Sequence, residues 1–386
     1  MHSVKMSKVI SLLISIFFLS GVWQRGTKNT VRDIPIKSFS CSYHVLFVLS
    51  LLMGAIKNRE MEKSIFLALV AIGSAILSIR LWLLIWKQNQ ILDLLNRICV
   101  FSIRNDADFK HFNEKLKGFM TFVLLFFVAV TFVDATAGIV FPLITRGQSL
   151  YLEIAFPLDY RNSDIGRLAA NFFLFTEIVL SYIATIFSIV IWYLLLICSL
   201  RYNMLGSDLR NMGRCNEKRK LKVAEHHMQN NFLNDLRSSI EAQLHLRELT
   251  AELGNFFSDM FFFQFCTSGL SICFSVYCLA FDVGAGQLER SVIFVLLFYF
   301  ISELFMITYF GNEIKLTSNH LSYCLYESDW YNQSQTTKIY IIIFAEYLKQ
   351  PQEVLIGKLY PLTLETFTRI FNSAYSMFNI LKRFQQ

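Results

Sequence analysis

Four ionisable residues, Arg80, Asp134, Glu177 and Glu303, lie inside long apolar segments. A charge in mid-bilayer costs a few kcal/mol even on insertion scales, so such residues are functional candidates unless they form structural pairs or face water. Asp134 and Glu177 each fall about ten residues from the outer end of their segment, roughly 15 Å deep at the helical rise. Glu303 falls midway along its segment and Arg80 toward the inner part. Which of them face each other is open at this level. No enzyme constellation accompanies them: the chain has no GxSxG, HExxH, P-loop or glycine-rich dinucleotide turn. No catalytic residue and no cofactor is implied. Glu225-His226-His227 sits in a charged loop, and adjacent histidines point in different directions on a helix. His245 and Glu248 are spaced to meet, but two ligands do not make a metal site.

The elements that must position these residues are membrane helices. Hydrophobic residues make up 54% of the chain and charged residues 17%, with mean hydropathy +0.44. A soluble domain carries about 25% charged residues. The 38 phenylalanines and 5 prolines place the apolar mass in long uninterrupted runs. The net charge of +7 does not point to nucleic acid, because most basic residues flank apolar spans and no run of like charge forms a basic arm. Five cysteines (Cys41, Cys198, Cys266, Cys273, Cys278) fall within apolar segments, where a free thiol acts as a small hydrophobe.

Seven spans are predicted, at about 38–56, 64–86, 118–144, 167–200, 256–281, 291–310 and 355–381. Residues 9–23 form a shorter apolar run behind Lys5 and Lys8, read as an uncleaved interfacial or re-entrant segment. With the N-terminus inside, inner loops hold 23 basic residues against 8 outside, which predicts a cytoplasmic N-terminus and an extracellular C-terminus. The inner loop 201–255 is not a plain linker. Phe232, Leu236, Ile240, Leu244, Leu246 and Leu249 recur at helical spacing, predicting helices that need a packing partner below the membrane. The last span carries Lys358, Glu365, Arg369, Asn372 and Asn379, too polar to face lipid all round.

The outer halves of spans two, three, four and six are rich in aromatic, aliphatic and small hydroxyl side chains. They include Phe66, Val70, Ser74, Thr131, Ala135, Gly138, Phe172, Phe175, Thr176, Phe294, Leu297 and Phe298, with Asp134 among them. An apolar cavity with a few hydroxyls suits a small volatile ligand, and the same residues also suit helix packing or lipid contact.

The C-terminal 76 residues carry a resemblance. Gly311-Asn312-Glu313, Ser318, Tyr326, Ser328, Trp330-Tyr331, Gln350-Pro351, Gly357-Lys358, Pro361-Leu362-Thr363-Leu364-Glu365-Thr366-Phe367 and Ala374-Tyr375-Ser376-Met377-Phe378 resemble the insect odorant receptor family in type and spacing. Gly21-Val22-Trp23 is similar to the family's Gly-Val-Trp-Pro, with Gln24 in place of the proline. The gustatory receptors are related, but end on a different pattern from Ala374-Tyr375 and Leu381-Lys382.

The resemblance implies an all-α fold of seven transmembrane helices with a helical cytoplasmic anchor. Residues 1–36 would be a cytoplasmic segment and 37–386 the seven-helix domain, with 201–255 and 311–350 in the anchor, an extra helix at Lys338–Lys349, and 355–384 as a pore helix. It implies a tetrameric ligand-gated, non-selective cation channel at the plasma membrane of a sensory neuron dendrite, in which a tuning subunit assembles with a shared co-receptor. The odorant would bind in the outer half between spans two, three, four and six, at the residues named above. Tyr375, Phe378 and Lys382 would lie at the pore and gate, and the short end of the chain at the outer mouth. The gustatory channels are the alternative within this class. A G-protein-coupled receptor would need the opposite orientation, and a transporter would show an inverted repeat, which is not visible.

The orientation has a direct test. Asn332-Gln333-Ser334 is the only N-glycosylation sequon, and it is expected in the cytoplasm. Expressed protein treated with an endoglycosidase should show no mobility shift, and a shift abolished by Asn332→Gln would overturn the topology.

Overall fold

A computed structural model of the chain describes residues 2–4, 6–24, 33–58, 61–135, 152, 154–157, 163–213, 225–281 and 287–385. The helices in chain order are α1 (Lys8–Leu19), α2 (Asp33–Lys57), α3 (Met61–Trp86), α4 (Gln88–Cys99), α5 (Asp106–Ala135), α6 (Asp164–Arg210), α7 (Glu225–Ala280), α8 (Gln287–Tyr326), α9 (Gln335–Leu348) and α10 (Leu364–Gln385). Strand β1 (His2–Val4) pairs antiparallel with β2 (Phe101–Ile103), and β3 (Leu355–Ile356) with β4 (Tyr360–Pro361). Among the described residues, α2, α3, α6, α7 and α8 are long and apolar enough to cross a membrane. In a bilayer every backbone group must be satisfied within its own segment, which is why the apolar runs become helices.

α6 is the centre. From Ile183 to Leu200 its residues are buried on every side, as expected of a helix apolar all round. It packs along α8 and against α3 and α7. With 47, 56 and 40 residues, α6, α7 and α8 run about 70, 84 and 60 Å, against an apolar bilayer thickness of about 30 Å. The helices expected in the inner loop are therefore continuations of the spans. Phe232, Leu236, Leu246 and Leu249 are buried along the extension of α7, whereas Leu244 is exposed. The extra helix expected at Lys338–Lys349 is α9, capped by Ser334, whose hydroxyl accepts from the Thr337 N–H at 3.3 Å.

The shorter elements close one end of the bundle. α4 buries Ile91, Leu94, Leu95 and Ile98 at helical spacing. Arg201 of α6 donates to the Arg97 and Ile98 carbonyls at 3.2 Å, satisfying its C-terminus. Burial pushes the Cys99 thiol up to about 12, so it stays protonated as an apolar filler. The run at 9–23 is α1 and a tight turn, with Ile10, Leu13, Ile14, Phe17 and Trp23 buried. Trp23 Nε1 donates to the Leu84 carbonyl at 2.8 Å. The Gln24 N–H donates to Gln88 Oε1 at 3.2 Å, and Gln88 Nε2 returns a bond to the Gln24 carbonyl at 2.8 Å. Proline has no N–H to give, so Gln24 exchanges a rigid residue for a reciprocal tie to α4.

The segment expected as the seventh span turns helical later than its hydropathy suggests. Residues 355–361 form the β3–β4 hairpin, and the helix starts at Leu364. Gly357 and Lys358 both take positive φ, +55° and +60°, which no helix accepts. Ser258 of α7 holds the hairpin: its hydroxyl donates to the Leu355 carbonyl at 3.1 Å and accepts from the Lys358 N–H at 3.0 Å. Thr363 Oγ1 accepts from the Thr366 N–H at 3.4 Å and so caps α10. On the other side the hairpin lies against α8 at Gly311, where a Cβ would stand 2.5 Å from the Leu362 carbonyl oxygen.

Gly311→Ala is therefore expected to force α8 and the hairpin apart, at a cost of about 1–3 kcal/mol as for other overpacked sites. A thermal midpoint measured by fluorescence-detected size exclusion should fall. A midpoint equal to wild type would show that the two do not dock so closely.

Candidate functional site

The intramembrane charges divide into a sealed pair and a lone carboxyl. Arg80 of α3 and Glu303 of α8 form a salt bridge with both side chains fully buried. Arg80 also donates to Ser188 of α6 at 2.6 Å, to Tyr299 of α8 at 3.4 Å, and to Gln264 of α7. Gln264 Nε2 donates to Ser268 at 2.7 Å and to Glu303 at 3.4 Å. Four helices thus meet on one guanidinium. A fork of donors suits this role, since each N–H can serve a different helix.

Sequence reasoning found Arg80 and Glu303 without pairing them. It missed Gln264, Ser188 and Tyr299. Gln264 carries a signal in retrospect, as the one amide in Phe261-Phe262-Phe263-Gln264-Phe265.

Glu177 of α6 is buried, and neither carboxyl oxygen has a hydrogen-bond partner among the described residues. One turn along, Ser181 lies 3.4 Å from His44 Nε2, and Ser78 of α3 lies 2.9 Å from His44 Nδ1. His44 itself is fully buried in α2. This polar knot joins α2, α3 and α6, and sequence reasoning missed it because one histidine in an apolar run is not diagnostic.

The candidate ligand residues separate by where they face. Val70 and Leu297 are part-buried and pack on the core. Ser74 is buried, its hydroxyl donating to the Val70 carbonyl at 2.8 Å. Thr131 is exposed and lies 2.9 Å from the Tyr182 hydroxyl of α6. Thr176 lies 2.6 Å from the Tyr43 hydroxyl of α2, so it serves a helix outside the expected set. Phe172, Phe175, Phe294 and Phe298 are each more than half exposed on the isolated chain. They stand on helix faces turned away from the buried Leu174, Glu177, Ile293 and Phe300. Asp134 and Ala135 end α5, with side chains outside the described ones, and Gly138 lies outside the described residues. The pair His226–His227, expected in a loop, falls in the first turn of α7 and likewise has no described side chains.

α10 has two unlike faces. Phe367, Ile370, Ala374 and Phe378 turn inward: Phe367 meets Phe305 of α8, Ile370 approaches Gly269 of α7, and Phe378 meets Phe281 beyond the end of α7. Arg369, Asn372, Ser373, Tyr375, Ser376 and Lys382 are exposed. Of the expected pore residues, Tyr375 and Lys382 thus lie on the open side, while Phe378 is part-buried against the bundle.

Residues 62–375 match the family described as 7tm Odorant receptor. The chain belongs to the odorant receptor family. The family is one of receptors rather than enzymes, and with its apolar helices the chain is a membrane protein. Similar curated relatives include odorant receptor 94a of Drosophila melanogaster, 28% identical over 49% of this chain and 46% of that one. Odorant receptor 23a of the same species is 25% identical over 66% and 63%, and odorant receptor 10 of Aedes albopictus 26% identical over 34% and 35%. The chain thus spans about a third to two thirds of the length of these relatives. Among solved structures, the insect olfactory receptor OR5 from Machilis hrabei aligns with a TM-score of 0.77 at 13% identity, covering 97% of both chains. The same receptor in complex with eugenol aligns at 0.71 and 11% identity. The likeness shows that this odorant receptor has the same fold.

The sealed pair makes a testable claim. Removing one partner of a buried ion pair costs about 3–5 kcal/mol, whereas replacing both with apolar residues is often neutral. Arg80→Met alone should sharply lower the thermal midpoint in detergent, and Arg80→Met with Glu303→Leu should recover most of it. A double variant as unstable as the sum of the singles would show that the two charges are not coupled.

Proposed function

We propose that the chain is an odorant-binding tuning subunit of a heteromeric, ligand-gated, non-selective cation channel in the plasma membrane of olfactory neurons. The observation that carries this reading is the open polar face of α10. A transmembrane helix cannot present Arg369, Asn372, Ser373, Ser376 and Lys382 to lipid. It needs water or other protein on that side, and copies of α10 arranged about an axis supply a water-filled lumen. Membership of the odorant receptor family supports the ligand class, and the relative solved with eugenol shows the fold accommodating such a compound.

The inner extensions of α6, α7 and α8 with α9 serve as the anchor between subunits. Exposed apolar residues there, Ile339, Tyr340, Ile342 and Ile343 of α9 and Leu244 of α7, are suited to burial in an assembly. A groove of about 500 Å³ lies between these two helices, lined by Leu236, Ile240, Leu244, Tyr340, Ile343 and Phe344 among others.

Lys382 gives a reason for a mixed assembly. The exposed ammonium stands near the end of α10, and four of them around one pore would repel a permeant cation by ordinary Coulomb repulsion. One or two copies beside co-receptor subunits would be tolerated. The chain expressed alone should give little odorant-evoked current, and Lys382→Leu should raise it. With the co-receptor, Ser376→Cys should make the current sensitive to a charged methanethiosulfonate reagent, while Ala374→Cys, on the buried face, should not. Equal sensitivity at both positions would refute the pore-facing assignment.

A further inference from the structure

We propose that Glu177 is the polar contact for the ligand, and that it selects small apolar molecules carrying a hydroxyl group. This rests on the odorant-receptor reading above and deepens it. Glu177 is 1% exposed, and both its oxygens are without a hydrogen-bond partner among the described residues. A carboxyl taken out of water is costly unless something bonds to it. The other buried intramembrane carboxyl, Glu303, is met by Arg80 and Gln264. A structural role would have given Glu177 a comparable set.

Its surroundings define a site. Ser78 and Ser181, both bonded to His44, fix α3 and α6 at one level. One turn from them, Ser74 on α3 and Glu177 on α6 stand at a common depth. Each lies 13 residues from the start of its helix, Met61 and Asp164. The next turn is apolar, with Val70 on α3 and Leu174 on α6. Depth and composition therefore place one strong polar group beneath an apolar turn, with its oxygens packed over in the structure, so that a ligand reaches it by parting α3 and α6 at this level. A hydroxyl matches that group best. It can donate to a carboxylate or accept from a carboxylic acid, whereas an ether, ketone or ester can only accept.

The test uses the full chain co-expressed with the co-receptor subunit, read as current. The ligands are matched pairs: hexanol, phenylethanol and eugenol, each beside its methyl ether. Wild type should be about tenfold or more sensitive to the alcohol of an effective pair, as sites built to bond a hydroxyl discriminate strongly against analogues without it. Glu177→Met should abolish the preference, bringing the alcohol and its methyl ether to about equal sensitivity. Glu177→Gln, which still donates and accepts, should keep it. Absence of the preference in wild type, or its survival in Glu177→Met, overturns the proposal. So does failure of Glu177→Met to reach the cell surface, because losing a carboxyl that has no partner among the described residues should not impair folding. Silence of wild type to every pair, with both subunits at the surface, overturns the odorant-receptor reading and the proposal with it.

Discussion

The bundle is organised around one ion pair that has no access to water. An arginine inside an apolar bundle is tolerable only if its charge is met, and Arg80 does this with its two terminal nitrogens, which reach three other helices. That requirement fixes the rotation of α3, α6, α7 and α8 about their own axes. Apolar packing alone would leave many near-equivalent rotations, because leucine and phenylalanine faces interchange at small cost. With the rotations set, Glu177 and Ser181 on α6 are turned to the side where α2 and α3 pack, and Ser258 of α7 to the side where the hairpin docks.

The second organising feature is length. α6, α7 and α8 run without interruption from the membrane into the region that packs with α9. No linker separates the two, so a displacement at one end of these helices is carried to the other. The hairpin joins them at the junction: β3 is tied to Ser258 of α7, Leu362 lies against Gly311 of α8, and the Gln352 N–H donates to Ser318 of α8 at 2.9 Å. The C-terminal sequence that marks the family is thus largely a docking device. Its glycines, serines and threonines serve contacts rather than chemistry.

Helical segments were legible because apolar runs with few prolines have no other fold in lipid. The extensions of the helices beyond the apolar spans were legible from the spacing of Phe232, Leu236 and Leu249. The hairpin was not, since Leu355-Ile356 and Tyr360-Pro361 read as apolar as a helix and only the positive φ at Gly357 and Lys358 separates them. Azimuth was the deeper loss. Sequence placed Arg80, Glu177 and Glu303 at depths, but depth does not tell which helix each one faces. The aromatic residues show the same limit: Phe172, Phe175, Phe294 and Phe298 had the right depth and turned outward on the isolated chain. Glu177 had the same depth and turned inward.

The clamped start of α10 has a mechanical consequence. Thr363, the hairpin and Gly311 fix its first turn to α7 and α8, while beyond Phe378 the side chains of Ile380, Lys382 and Arg383 are exposed. A rod pinned at one end moves by pivoting. With 22 residues it is about 33 Å long, so a tilt of about 5° swings its tip by about 3 Å. The base of such a rod sets the axis of rotation, so small rearrangements among the bundle helices are geometrically magnified at its far end.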